Sequence, residues 1–182
     1  MNLKKHNHFT LRINQIFAKL LRDKLDLRKK YLKIHIAVDI KNKKIISLKV
    51  TDEHVHDGKV LPKLVEDIKK SKHMIVGKIL TDGAYDSNAV FGCLTDNGIM
   101  SCIKVRKKAI VKKTNHNLRN LLVISQKNIL QRWKDNSVSY GQRWTSETVF
   151  SFIKRMFGEY VFSIKSKNMV QEMRLKTLLY NK

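Results

Sequence analysis

MIVGKILTDGAYDS, residues 74–87, is an apolar run that stops at an acid followed by a glycine. Met74, Ile75, Val76, Ile79 and Leu80 read as a strand, and Asp82 then stands at that strand's carboxyl end. Gly83 lets the backbone turn away there. In an α/β sheet this is the end at which ligands gather, so one stretch sets both the class of fold and the place of its chemistry.

The flanking sequence supports a strand at this point. Upstream, KIHIAVDI (33–40) alternates Ile34, Ile36 and Val38 with Lys33, His35 and Ala37, and a turn-like KNKK leads into the β-rich IISLKVT (45–51). This predicts a hairpin. GKVLPKLVEDIKKSK (58–72) follows as a helix capped by Asp57, with Pro62 near enough to its start to be tolerated. Downstream, SNAVFGCLTDNG (87–98) reads as a helix stopped by Gly98, and IMSCIKV (99–105) as a short strand. Residues 33–105 therefore alternate strand and helix as an α/β sheet does.

The flanks are less regular. Residues 11–30 place Ile13, Ile16, Phe17, Leu20 and Leu21 at helical spacing with basic residues between, which predicts a helix. Residues 106–136 are basic with little periodicity, and predict an irregular connection that meets phosphates or a solvated loop. YVFSIKS (160–166) reads as a turn or short strand and NMVQEMRLKTLLYN (168–181) as a closing helix.

Charge narrows the partner. The 182 residues carry 38 Lys and Arg against 15 acids, a formal net charge of +23. Such an excess repels itself unless a polyanion is near, which points to nucleic acid. No run of about 18 apolar residues is present to span a bilayer, and MNLKKHNHFT lacks the apolar stretch of a secretory signal, so the expected setting is the cytoplasm, beside the nucleoid. Cys93 and Cys102 match neither a zinc ribbon nor a redox pair and read as reduced thiols. His54 and His56 with Asp57 read as a polar loop ahead of a helix rather than a metal cluster.

YGQRWTSETVFSFIKRM (140–156) predicts an amphipathic helix. With Arg143 at the origin of a helical wheel, Tyr140 falls at about 60°, Glu147 at about 40° and Lys154 at about 20°. Opposite them Val149, Phe150, Phe152, Ile153, Met156 and Phe157 form the predicted buried face. By geometry alone, Arg143 and Glu147 at i, i+4 also suit a surface ion pair worth about 0.3–0.5 kcal/mol.

Tyr140-x2-Arg143-x3-Glu147-x6-Lys154 resembles the Y-R-E-K signature of bacterial insertion-sequence transposases of the DDE type, and LTDGAYDS resembles the stretch bearing their second acidic residue. KIHIAVDI, the 54–57 segment and IKVRKKA follow in the same order, so the resemblance spans residues 31–182. It implies a ribonuclease H-like α/β fold, a mixed sheet flanked by helices, and metal-dependent cutting and strand transfer at the ends of a mobile element. Position by position, Asp82 and Glu147 correspond to the second and third acidic metal ligands. Tyr140, Arg143 and Lys154 correspond to DNA or phosphate contacts. The implied cofactor is Mg²⁺ or Mn²⁺, and the implied partners are double-stranded DNA, at element ends and target, and a second copy of the chain.

The family's first acid lies in an Asp-Ser-Thr-like stretch on a strand ahead of the hairpin, and nothing in residues 1–30 matches it. Asp23 and Asp26 fall in the predicted helix, and Asp39, the remaining candidate metal ligand, corresponds to the second strand. The expectation is therefore a sheet lacking its first strand. Residues 1–30 would be a basic helical segment of different origin, and residues 31–182 a partial catalytic core, as in a truncated or frameshifted element. Two functional readings follow: a transposase, or a catalytically silent DNA-binding remnant of one. An RNA-binding protein of ribosomal type would explain the charge but not the spacing.

Overall fold

The computed structural model describes residues 8–20, 31–71, 74–106, 108–111, 117–128, 142 and 144–182. The strands are β1 (His8–Leu20), β2 (Tyr31–Asp39), β3 (Ile45–Asp52), β4 (Ile75–Thr81), β5 (Met100–Ile103) and the short β6 (Tyr160–Val161). The helices are α1 (Asp57–Lys70), α2 (Asn88–Asp96), α3 (Asn117–Asn128), α4 (Trp144–Phe157) and α5 (Ser166–Tyr180). The strands join in one sheet of order β3-β2-β1-β4-β5, with β6 also paired to β1. β1, β2 and β3 run antiparallel, whereas β4, β5 and β6 extend the sheet by parallel pairing. The predicted hairpin, the strand before Asp82, the helix stopped by Gly98 and the closing helix are all present.

β1 corrects the sequence reading twice. Residues 8–20 form a strand rather than a helix, and that strand is the centre of a sheet expected to lack it. Its apolar residues satisfy two periods at once: Ile13, Ile16, Phe17 and Leu20 suit a helix, while Phe9, Leu11 and Ile13 suit a strand. Pairing decides between them, because β1 bonds to β2 on one edge from Leu11 to Lys19 and to β4 on the other. The helix expected over residues 21–30 lies outside the described residues.

Two cores form on the two faces of the sheet. Leu11, Ile13, Ala37 and Ile79 pack beneath Leu61, Leu64 and Ile68 of α1 and Phe91 and Leu94 of α2. On the other face Ile34, Ile36 and Val38 meet Val149, Phe150 and Ile153 of α4 and Met169 and Met173 of α5. Each such large side chain contributes about 1.5–3 kcal/mol by leaving water. The buried stripe of α4 is narrower than predicted: Phe152 and Met156 are about half exposed, and Thr145 and Ser146 are buried instead.

Three local expectations also change. Asp57 does not cap α1; His56 holds that position without a side-chain bond, and the Asp57 carboxylate meets Lys33 Nζ at 2.5 Å. The basic stretch 106–136 is not irregular throughout, because α3 lies within it and buries Val123 against Val105 and Ala109. The third adds a reason to the expected turn at Gly83: a Cβ there would lie 3.1 Å from the Lys104 carbonyl oxygen, so close backbone approach calls for glycine as well.

Candidate active site at the open edge of the central strand

β4 ends at Thr81, and Asp82 continues its extended backbone with φ −87° and ψ −176°. The chain then coils into a short 3₁₀ turn, Gly83–Tyr85, whose Ala84 N–H donates to Asp82 Oδ1 at 3.0 Å. One carboxylate oxygen thus fixes the side chain at the strand's end. Arg106 Nε donates to the Gly83 carbonyl at 3.1 Å from the next strand's exit.

The neighbouring acid of the same motif has a different task. Asp86 accepts a bidentate pair from Arg119 of α3, Nε to Oδ1 at 2.7 Å and Nη2 to Oδ2 at 3.2 Å, and a third bond from the Arg106 N–H at 3.1 Å. The carboxylate is fully buried, so this pair ties α3 to the loop that carries Asp82.

Register locates what faces Asp82. Arg12 of β1 pairs with Leu80 of β4, the last pair between the two strands, and the same register carried two residues further would set position 14 level with position 82. Asn14 also lies opposite Ile36 in β2, whose side chain belongs to the core under α4. In both parallel and antiparallel pairs directly opposed positions share a face. Positions 12, 14 and 82 therefore lie on the α4 side of the sheet. On the β4 edge of β1, pairing ends at Arg12 and resumes with β6 only at Lys19, which leaves an opening where Asp82 departs.

α4 runs beside this opening. Its start lies by the β2–β3 turn, where Lys43 Nζ sits 5.7 Å from the centre of the Trp144 ring. Its far end leads through Gly158 to β6, paired at Lys19 and Leu20. The helix thus travels along β1 from the β2–β3 turn toward β6, with Glu147 in its first turn. Glu147 is exposed and flanks the buried Ser146 and Phe150. Lys154, two turns on, is 42% exposed and pairs with Glu159 at 3.6 Å. Tyr140 and Arg143 lie outside the described residues.

The structure does not bring Asp39 to this place. Its carboxylate accepts from the N–H groups of Lys41 and Asn42 and from Asn42 Nδ2, which staples the β2–β3 turn. It is opposite Leu11, on the α1 side of the sheet, three residues from the level of Asn14.

A second polar cluster, missed in the sequence, lies under the start of α1. Lys33 Nζ meets Asp57 and donates to the Val55 carbonyl at 3.0 Å, and His35 Nε2 shares a hydrogen bond with Thr51 Oγ1 at 3.0 Å. Burial drives the His35 pKa down to about 4, against the pull of the Asp57 charge and with the help of Lys33. His35 is therefore a neutral packing group at pH 7.

The central antiparallel hairpin extended by parallel strands, with helices on both faces, is the ribonuclease H-like fold. The chain belongs to the transposase DDE domain family, which matches residues 22–182. Among solved structures, the piggyBac transposase in a synaptic complex with hairpin DNA is similar over 94% of this chain, with a TM-score of 0.50 and 11% identity. The catalytic domain of the Mos1 mariner transposase matches 77% of the chain at a TM-score of 0.40 and 9% identity. A simian T-cell lymphotropic virus intasome in complex with the PP2A regulatory subunit B56 gamma matches 77% at a TM-score of 0.40 and 18% identity. The chain spans 45% of the piggyBac protein, 48% of the intasome chain and 74% of the Mos1 domain.

Transposase DDE domains generally use divalent metal ions. The residues here fit such ions incompletely: among the described residues no group of three or more His, Cys, Asp and Glu could hold a metal. The last β1 residue paired with β4 before Asp82 is Arg12, a buried cation opposite Leu80. Also among the described residues, no helix is long and apolar enough to cross a membrane.

Proposed function

We propose that the chain acts on DNA in transposition, gripping duplex DNA by its charge and presenting Asp82 and Glu147 to a phosphodiester at an element end. The observation that carries this reading is the place of Asp82: the carboxyl end of β4, at the opening in the β1 edge, in a member of the transposase DDE family. The +23 charge supplies the attraction for DNA, and Tyr140, Arg143 and Lys154 are the residues assigned to phosphate contact. Oxygen donors of this kind suit Mg²⁺ or Mn²⁺. A second copy of the chain is the partner such a reaction calls for, since an element has two ends.

A second reading, a DNA-binding form that does not cut, is favoured by the lack, among the described residues, of a group of three His, Cys, Asp or Glu that could hold a metal. Binding of a random 30-base-pair duplex, followed by fluorescence anisotropy, tests what the two share. If the chain neutralises on the order of six to ten phosphates, affinity falls about 10³- to 10⁵-fold between 50 and 200 mM salt. Binding that is absent at 50 mM salt, or insensitive to it, refutes both. Metal-dependent nicking of supercoiled plasmid, lost in Asp82→Asn and Glu147→Gln, separates the first from the second.

A further inference from the structure

We infer that Phe162 and Ile164 form a rigid apolar wedge that enters the base stack of bound duplex DNA and kinks it. The inference rests on the reading above and adds a contact that charge alone does not make.

The wedge stands on the short loop between β6 and α5, from Phe162 to Lys165. Phe162 is 60% exposed and Ile164 68%, the highest value for a large apolar side chain among the described residues. Exposed apolar residues scattered singly are ordinary, but these two share a backbone that is fixed at several points. β6 roots the loop on β1, and Val161 is buried beside it. The Glu172 carboxylate of α5 accepts from the Phe162 N–H at 3.0 Å and from the Ser163 N–H at 2.9 Å. Lys176 meets that carboxylate at 2.9 Å and donates to the Tyr160 carbonyl at 2.8 Å. Burial alone would raise the Glu172 pKa, yet the bonds from Lys176, Ser163 and Phe162 take it down to about 2, so the carboxylate is charged at neutral pH. The loop is therefore ordered before a partner arrives, and binding does not have to supply that order.

The surroundings select the partner. Lys165 and Lys167 are exposed beside the wedge, and Lys176 Nζ lies 5.6 Å from the centre of the Phe162 ring. Both acids in residues 159–182 are already engaged, Glu172 in the loop and Glu159 with Lys154 at 3.6 Å. An apolar tip set among cations repels a second copy of itself and suits a polyanion with an apolar interior. Duplex DNA has that make-up, and Phe or Ile pushed between its base steps kinks it by about 20–90°. The position agrees. β6 occupies the β1 edge that β4 leaves at Arg12, about 23 Å further along the strand. A duplex running along this edge from Asp82 reaches the wedge within about one helical turn.

The test is energy transfer between dyes at the two ends of a 20-base-pair duplex at saturating protein, with affinity taken from anisotropy on the same samples. Wild type, Phe162→Ala/Ile164→Ala, Phe162→Leu and Lys165→Gln/Lys167→Gln are compared, each checked for folding by circular dichroism. Wild type should shorten the distance between the duplex ends. The double alanine variant should bind within about threefold of wild type, because burial of the wedge is offset by the unstacking it causes, yet leave the duplex straight. Phe162→Leu keeps an apolar tip and should still kink it. The double glutamine variant should lower the slope of log affinity against log salt by about two, and kink the duplex at saturation as wild type does. Duplex that wild type binds but leaves straight overturns the wedge and spares the proposed function. A double alanine variant that kinks DNA as fully as wild type also overturns it. Absence of any duplex binding by wild type at low salt refutes the wedge and the proposed function together.

Discussion

Removing the Arg119 side chain should cost this protein a large part of its stability, because it strands a buried charge. The Asp86 carboxylate has no solvent exposure and three hydrogen bonds, two of them from Arg119 at 2.7 and 3.2 Å. Arg119→Met leaves it with the Arg106 N–H alone. Breaking a buried pair by deleting one partner costs about 3–5 kcal/mol, against a total stability of about 5–15 kcal/mol for a domain. With a urea m-value of about 2 kcal/mol/M, the unfolding midpoint followed by circular dichroism should drop by about 1.5–2.5 M. The Asp86→Leu/Arg119→Met double variant removes both charges and should recover most of that loss. A drop of less than about 0.5 M for Arg119→Met, or a double variant that is less stable than the single, would refute the reasoning.

Phe91 is 1% exposed in the α1–α2 core, so Phe91→Ala should cost about 3–5 kcal/mol, whereas Phe152→Ala at 49% exposure should change stability by less than about 0.5 kcal/mol; urea midpoints compare them. His35 makes stability depend on pH. Its folded pKa, about 4, lies below the unfolded 6.5, so between these values the unfolded chain binds a proton that the folded one does not. The His35 contribution is complete above pH 6.5 and is lost as pH falls toward 4, by an amount on the order of 3 kcal/mol. Urea midpoints at pH 7 and pH 5 should therefore fall more steeply for wild type than for His35→Gln, and parallel slopes would contradict this.

The parts of the fold that were legible are those with a clear polar alternation or sharp boundaries. Ile34, Ile36 and Val38 meet the α4 side while the opposite, also buried, face of β2 carries the polar Lys33 and His35, and α2 is bracketed by Ser87, which accepts from the Val90 N–H, and by Gly98 at φ +64°. β1 was unreadable as a strand because its apolar residues also fit a helix, and only its pairing to β2 on one edge and β4 on the other selects the strand. α3 was hidden because much of its buried side is polar: Arg119 is spent on Asp86, and Gln126 bonds the backbone of Val105 and Ile103. No hydrophobic period records such an interface.

The candidate site divides in the same way. Asp82 was visible because an acid that ends an apolar strand is conspicuous, and Glu147 because the spacing around it is regular. Asp39 misled for the converse reason: it ends a strand, but its carboxylate is consumed by the turn that follows.

Everything proposed for the site depends on residues 8–20 being the central strand, with position 14 beside position 82. Disulfide trapping measures this directly. With Cys93→Ser and Cys102→Ala removing the two native thiols, Asn14→Cys and Asp82→Cys would place thiols on adjacent parallel strands. Their Cα atoms should lie about 5 Å apart, within the 4.4–6.8 Å span of a disulfide. The account predicts rapid closure of a 14–82 disulfide under mild oxidation, and none between residues 17 and 82. No 14–82 bond in a folded protein, or equal trapping from positions 14 and 17 as a mobile or helical segment would give, would contradict it.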